Sequence, residues 1–291
     1  MPRLNNRTSA YLFLLLNTAL WGFGTPIIKY AFNFTSPTLF LFYRFLIATI
    51  IFLPIFLIHR SRKHRHKINH LQTLFLALLS GPVCLLLSFY GLSKTSAAEA
   101  SIIGSSGPLL TVLLCMIFLK ETVKSKEWKG LGIALLGTLI IVLEPLITGS
   151  KHVSLSLQGN LLIILGNSVW SIFLLLSKKD HLDPIYLSFY SFLISIPFFF
   201  FVTAQSGLSF ALNPQALPSI LYMAIGGSVI GFWAYQEGHK RIEASEAVIF
   251  TYLNPVFAIP LSILWLKESF SPVAIIATIL IVYGVFTSEK R

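Results

Sequence analysis

A chain of 291 residues that is 55% hydrophobic, only 11% charged and has a mean hydropathy of +0.77 is too poor in charge for a soluble domain, where about a quarter of residues are charged. Its net charge of +11 reads as attraction to an anionic lipid surface rather than as nucleic-acid binding. Membrane lipid is thus an expected partner, and nucleic acid is not.

The apolar stretches cover, in chain order, residues 10–30, 38–58, 71–92, 99–119, 129–147, 158–177, 184–203, 216–237, 246–266 and 272–288. Each approaches the roughly 20 residues a helix needs to cross a hydrocarbon core about 30 Å thick. Backbone facing lipid must satisfy its polar groups within its own segment, which makes these spans helices. Runs such as Leu12–Leu16 and Phe198–Phe201 do not alternate as barrel strands do. The first stretch has a basic flank like that of a signal peptide, but its length and its match to the helix of Trp170 make it a retained span.

The second half of the chain repeats the first at an offset of 147 residues. Pro37, Phe42-Tyr43 and Phe45-Leu46-Ile47 return as Pro184, Phe189-Tyr190 and Phe192-Leu193-Ile194. Gly91, Glu99, Pro108 and Leu119-Lys120-Glu121 return as Gly238, Glu246, Pro255 and Leu266-Lys267-Glu268. The first helix needs a small shift, which aligns Trp21 with Trp170. A repeat of this length sets the architecture. Five spans per copy is an odd number, so the second copy lies upside down relative to the first. The expected fold is an all-α polytopic membrane protein of ten transmembrane helices, built as two inverted five-helix repeats, 10–147 and 158–288. Inverted repeats supply two similar halves able to gate a midplane site from opposite sides.

With the N-terminus placed inside, the inner segments carry seventeen Lys and Arg residues, and the outer loops carry Lys94, Lys151 and Lys267. That bias puts both termini in the cytoplasm. Lys29 and Arg44 lie within spans, where a charge is costly and a functional role is the default reading. Each could meet a substrate carboxylate. Otherwise Arg44 pairs with Glu99, and Lys29 snorkels to the interface. Lys94 with Glu99, and Arg241 with Glu246 beside Glu237, are equivalent across the repeat. They are candidates for two mirrored ion-pair gates, or for simple helix capping.

Spans are interrupted at Gly22 to Pro26, Gly81-Pro82, Gly104 to Pro108, Gly226-Gly227 with Gly231, and Asn254-Pro255. Breaks at matching places in both halves, as at Pro108 and Pro255, point to a transport site. Ser105 within the Gly-Ser stretch, and Trp21, Tyr90, Trp170, Trp233, Tyr235, Gln236 and Tyr252 on the same set of helices, are candidates to line it. As a set they suit an amphipathic organic solute rather than a bare ion. His59, His64, His66 and His70 stand among cations in a run read as a solvated loop, so no metal is expected. Cys84 and Cys115 read as small core residues. No HExxH, GxSxG or phosphate-binding loop is present, so neither an enzyme nor a cofactor is expected.

The order and duplication of these features, with Trp21-Gly22 in the first helix, Tyr43-Arg44-Phe45 and Ala48 in the second, and the Pro108–Glu121 and Pro255–Glu268 helices, resemble EamA-type transporters of the drug/metabolite transporter superfamily from about Ala10 to Ser288. The resemblance implies alternating access around a central cavity lined by helices 1, 3, 4, 6, 8 and 9. It implies movement of small metabolites, often amino acids and often outward, across the cytoplasmic membrane. Multidrug export and transport of nucleotide-like or sugar-phosphate solutes remain open as alternatives. With both five-helix halves in one chain, a monomer can complete the pathway, and a homodimer is equally open.

Overall fold

The computed structural model describes residues 6–62, 70–94, 106–120, 124–147, 157–179, 183–266 and 272–289, which are mostly helical with no strand among them. The helices are α1 (Asn6–Ala31), α2 (Pro37–Arg62), α3 (His70–Leu78), α4 (Cys84–Lys94), α5 (Ser106–Phe118), α6 (Ser125–Ile147), α7 (Leu157–Lys179) and α8 (Pro184–Gln205). There follow α9 (Leu217–Tyr222), α10 (Trp233–Arg241), α11 (Ala244–Ile249), α12 (Asn254–Leu266) and α13 (Pro272–Glu289).

Six segments among the described residues are long and apolar enough to cross a membrane: Asn6–Ala31, Pro37–Ser61, His70–Lys94, Leu161–Lys179, Pro184–Gln205 and Pro214–Arg241. The other four expected stretches contain α5, α6, α11 with α12, and α13, but are not among these six. Large apolar side chains such as Ile50, Leu71, Phe201 and Ile279 are exposed. That distribution suits a bundle whose solvent is lipid. His59 falls inside α2 instead of a loop, its Nε2 3.1 Å from Asp183 Oδ2. Asp183 in turn caps α8 by accepting from the Ile185 amide at 2.9 Å.

Two of the longer helices are interrupted at equivalent places. A π-helical turn, Leu79–Val83, separates α3 from α4, and a π-helical segment, Met223–Phe232, separates α9 from α10. Residues 79–83 map onto 226–230 at the 147-residue offset. The glycine and proline at Gly81-Pro82 and the glycines at Gly226-Gly227 explain the weakened α ladder. Pro108 and Pro255 do not break helices from within. Each sits in the first turn of its helix, α5 or α12, where a missing N–H costs nothing. Before α12 the chain forms the 3₁₀ turn Phe250–Leu253.

The packing of equivalent helices is reciprocal. Phe45 of α2 meets Phe199 of α8 with ring centroids 6.0 Å apart, and its repeat partner Phe192 meets Phe52 at 5.5 Å. Phe45 and Phe192 themselves are 5.9 Å apart. In α6 and α13, a Cβ on Gly137 would come within 2.7 Å of the Ala277 carbonyl oxygen. One on Gly284 would come within 2.7 Å of the Gly130 oxygen and 2.6 Å of the Ala134 nitrogen. Close backbone approach through small residues is how membrane helices gain dispersion contact when lipid offers no hydrophobic driving force. Gly284→Val is therefore expected to splay α6 from α13 at a cost of about 1–3 kcal/mol. Thermal stability of the purified chain in detergent would show it, and an unchanged melting profile would refute this packing.

Candidate functional site

A cavity of about 360 Å³ lies among α1, α2, the α3–α4 pair, α5, α7, α8, the Met223–Phe232 segment and the α11–α12 pair. That is within the range of small-molecule sites. On α1 its wall begins at Trp21 and continues through Thr25 to Ile28; on α4 it reaches Leu92; on α7 it ends at Trp170. The cavity thus occupies the half of the bundle toward which α1 ends. In the half in which α1 begins, Leu14, Thr18, Tyr235, Gln236 and His239 are buried.

The wall is mostly apolar and aromatic, with Phe45, Phe89, Phe192, Phe232, Trp21 and Trp170 contributing. Arg44 is the only charged side chain lining it among the described residues. It is 5% exposed, and its Nε donates to Ser228 Oγ at 2.8 Å. Its guanidinium carbon lies 5.2 Å from the Phe45 ring centroid. The expected alternative partner, Glu99, lies outside the described residues, and no described carboxylate pairs with Arg44. The residue equivalent to Arg44 is Ser191, which also lines the cavity and shares a hydrogen bond of 2.7 Å with Ser80. A cation demanded by the architecture would appear in both halves. This one appears in one half, where it faces the cavity.

The floor is an aromatic cluster. Trp21 and Trp170, equivalent across the repeat, are 5.7 Å apart edge to face. Trp21 stacks on Tyr235 at 5.5 Å and 17°, and Trp170 lies 5.7 Å from the same ring. Trp21 Nε1 donates to the Gly227 carbonyl at 2.9 Å, and Asn17 Nδ2 donates to that of Gly231 at 2.9 Å. Both acceptors belong to the π-helical segment, whose looser ladder leaves carbonyls available. Trp21→Phe keeps the ring cluster and removes this one bond. It is expected to cost about 1 kcal/mol, read as a melting temperature a few degrees lower, and no change would show the carbonyl finds another donor.

Below the floor the bundle is sealed. Thr18 Oγ1 reaches the Phe250 carbonyl at 3.2 Å, and Lys178 Nζ donates to the carbonyls of His239, at 2.7 Å, and Ile242. At the end where α1 begins, Arg7 Nη2 meets Glu246 Oε1 at 2.6 Å and Tyr11 Oη donates to the same oxygen at 2.5 Å. The partner of Glu246 is therefore Arg7 of α1. Arg241 pairs instead with Glu237, one turn back on its own helix, and lies 5.0 Å from the Phe13 ring centroid. Arg7 gave no signal in the sequence beyond its contribution to charge bias, because the pairing joins residues 239 positions apart.

Of the residues expected to bind solute, Trp21, Arg44, Trp170 and Tyr252 line the cavity, as does Pro108. Tyr235 and Gln236 are buried below it, at 0% and 3% exposure. Lys29 Nζ is bonded to the Leu92 carbonyl at 3.3 Å, off the wall. Trp233 packs on Phe13 at 5.5 Å, and Tyr90 also lies outside the lining. Lys94 is exposed, bonded to Gln158 Oε1 at 3.2 Å. Pro26 is buried inside α1. Ser105, like Glu99, lies outside the described residues, and Pro255 is placed only by its backbone. Ser228 and Asn167, also on the wall, carried little or no mark in the sequence that set them apart.

A helical bundle with a lipid-type exterior, a solute-sized cavity closed at one end and a buried cation in its wall belongs to the class of polytopic membrane transporters. The family model of the EamA-like transporter family matches residues 8–143 and again 157–288, and the chain belongs to that family. It is similar to "Uncharacterized transporter YyaM" of Bacillus subtilis (strain 168), 26% identical over 96% of this chain and 93% of that protein. It is also similar to "Uncharacterized transporter YetK" of the same organism, 29% identical over 84% of this chain and 76% of that one. An "Uncharacterized transporter" of Archaeoglobus fulgidus is 23% identical over 99% of both. A solved structure, "Crystal structure of protein", shares the fold with a TM-score of 0.78 at 18% identity, covering 97% of both chains. The chain is a membrane-embedded transporter.

Proposed function

We propose that this chain is a secondary transporter of small carboxylate-bearing metabolites, amino acids first among them, that works by alternating access and exports from the cytoplasm. In this reading the ten sequence stretches are ten spans in two inverted repeats, 10–147 and 158–288. The reciprocal packing of α2 on α8 and of α6 on α13, with equivalent residues exchanging partners, supports the inversion. Both termini lie on the cytoplasmic side of the membrane, on the strength of the basic-residue bias. The cavity then faces outward, and the Arg7–Glu246 contact closes the cytoplasmic mouth.

The observation that carries the substrate class is Arg44, buried, bonded to Ser228 and otherwise turned to a neutral cavity. A charge kept in such surroundings is stabilised when a counter-charge arrives. One cation matches one carboxylate; a phosphate dianion would call for more. An ammonium group would meet the faces of Trp21 and Trp170 and the Asn254 side chain, which lines the cavity and whose buried Oδ1 has no partner among the described residues. Among the described residues no acid lines the wall, which speaks against export of hydrophobic cations. The test is exchange of labelled leucine and phenylalanine, whose apolar side chains suit the aromatic wall, by the purified chain in liposomes, with and without a pH gradient. Saturable exchange supports the reading. Its absence from folded protein, with exchange of nucleotides or hydrophobic cations in its place, overturns it.

A further inference from the structure

Directly below the aromatic floor, within five residues of α10, three buried side chains have hydrogen-bonding atoms with no partner among the described residues: Tyr235 Oη, Gln236 Nε2 and His239 Nε2. Their exposures are 0%, 3% and 3%. All three atoms can donate, the imidazole nitrogen in one tautomer. The Tyr235 and His239 rings are stacked, 5.9 Å apart at 15°, and Tyr235 touches both floor tryptophans. Buried donors without acceptors are rare and costly, and three on adjacent turns of one helix call for an explanation. Their position supplies one. They lie between the floor of the cavity and the Arg7–Tyr11–Glu246 contact, beside Lys178 on the carbonyls of His239 and Ile242.

We propose that Tyr235, Gln236 and His239 form a second solute station on the closed half of the pathway, which receives the carboxylate after it leaves Arg44's side of the floor or before it arrives there. The inference rests on the carboxylate-carrier reading for its ligand. Donors are what a carboxylate's oxygens require, and this cluster lies on the far side of the floor from Arg44. When the Arg7–Glu246 contact parts and the mouth opens, water and solute complete the three bonds. The same donors therefore cost least in the conformation that releases or loads solute on that side.

The first test is accessibility. In membranes oriented with the N-terminal end toward the reagent, His239→Cys is expected to react slowly with an impermeant maleimide. It should react at least about tenfold faster when Glu246→Gln is added, since solvent access governs the rate, and saturating phenylalanine should slow it again. The second test is kinetic and independent of the latch. Gln236→Leu and Tyr235→Phe should raise the KM for phenylalanine presented at the N-terminal face by about tenfold, and that at the opposite face by less than about twofold. Labelling without protection by phenylalanine, or a KM change equal on both faces or absent on both, overturns the station. Failure of the unsubstituted chain to exchange any carboxylate sinks the substrate class of both readings, whereas those labelling and KM results sink the station alone.

Discussion

Arg44→Ala is expected to cut exchange of leucine and phenylalanine by about 10- to 100-fold, because a hydrogen bond to a charged group is worth about 1.5–3 kcal/mol where water is excluded. Arg44 is 5% exposed and faces a wall without a described acid, so its charge is neither diluted by solvent nor spent on a described protein carboxylate. The loss should fall on KM more than on the turnover of bound solute, as removal of a ground-state contact does. Arg44→Lys keeps the charge but loses the Nε bond to Ser228 at 2.8 Å and the planar fork that grips a carboxylate. It should rank between the parent and the alanine variant. The chain should remain folded in both, since neither leaves a described carboxylate stranded. Undiminished carboxylate exchange by folded Arg44→Ala would sink the substrate site as drawn.

Glu246→Gln is the second large effect. Its oxygen gathers the Arg7 guanidinium at 2.6 Å and the Tyr11 hydroxyl at 2.5 Å, tying α1 to α11 across the closed end. The carboxylate is 8% exposed, but the Arg7 side chain is 38% exposed, so screening trims the contact to roughly 1–2 kcal/mol. Glutamine preserves shape and one acceptor while removing the charge. The expected result is a population shift of roughly 5- to 30-fold toward the conformation open at the N-terminal end. Cysteines introduced along α1 below Trp21 would report it as faster labelling from that face. Labelling that does not respond would reduce the contact to a helix-end ion pair with no part in the cycle.

The extent to which these sites were legible in the sequence follows from the kind of interaction each uses. Hydropathy predicts a helical membrane bundle, and the repeat, with a small shift in its first helix, predicts the equivalence of Trp21 with Trp170. Local chemistry within one span also marked Arg44, since a guanidinium among apolar residues is conspicuous by itself. The ion-pair gates were only half legible. Arg241 and Glu246 are close in sequence and were the natural pair, but an i,i+4 partner, Glu237, lies on the same helix face as Arg241. That left Glu246 to Arg7, a residue at the far end of the chain. Lys29 looked as informative as Arg44 by composition. Its side chain is taken up by the Leu92 carbonyl, 63 positions away in the chain, a contact that no local pattern reveals.

Composition, hydropathy and self-similarity are enough for the lipid solvent, the helical class and the duplication. These are sums over many residues or properties of a single span, and they survive ignorance of how spans are arranged. The packed fold is needed to see in which half of the bundle the cavity lies, that Ser228 holds Arg44, that Arg7 and Tyr11 hold Glu246, and that three donors on α10 lie buried beneath the floor. Each of these depends on distances between helices far apart in the chain. In lipid those distances are set by close packing of small residues and by hydrogen bonds to freed carbonyls, to which hydropathy is blind.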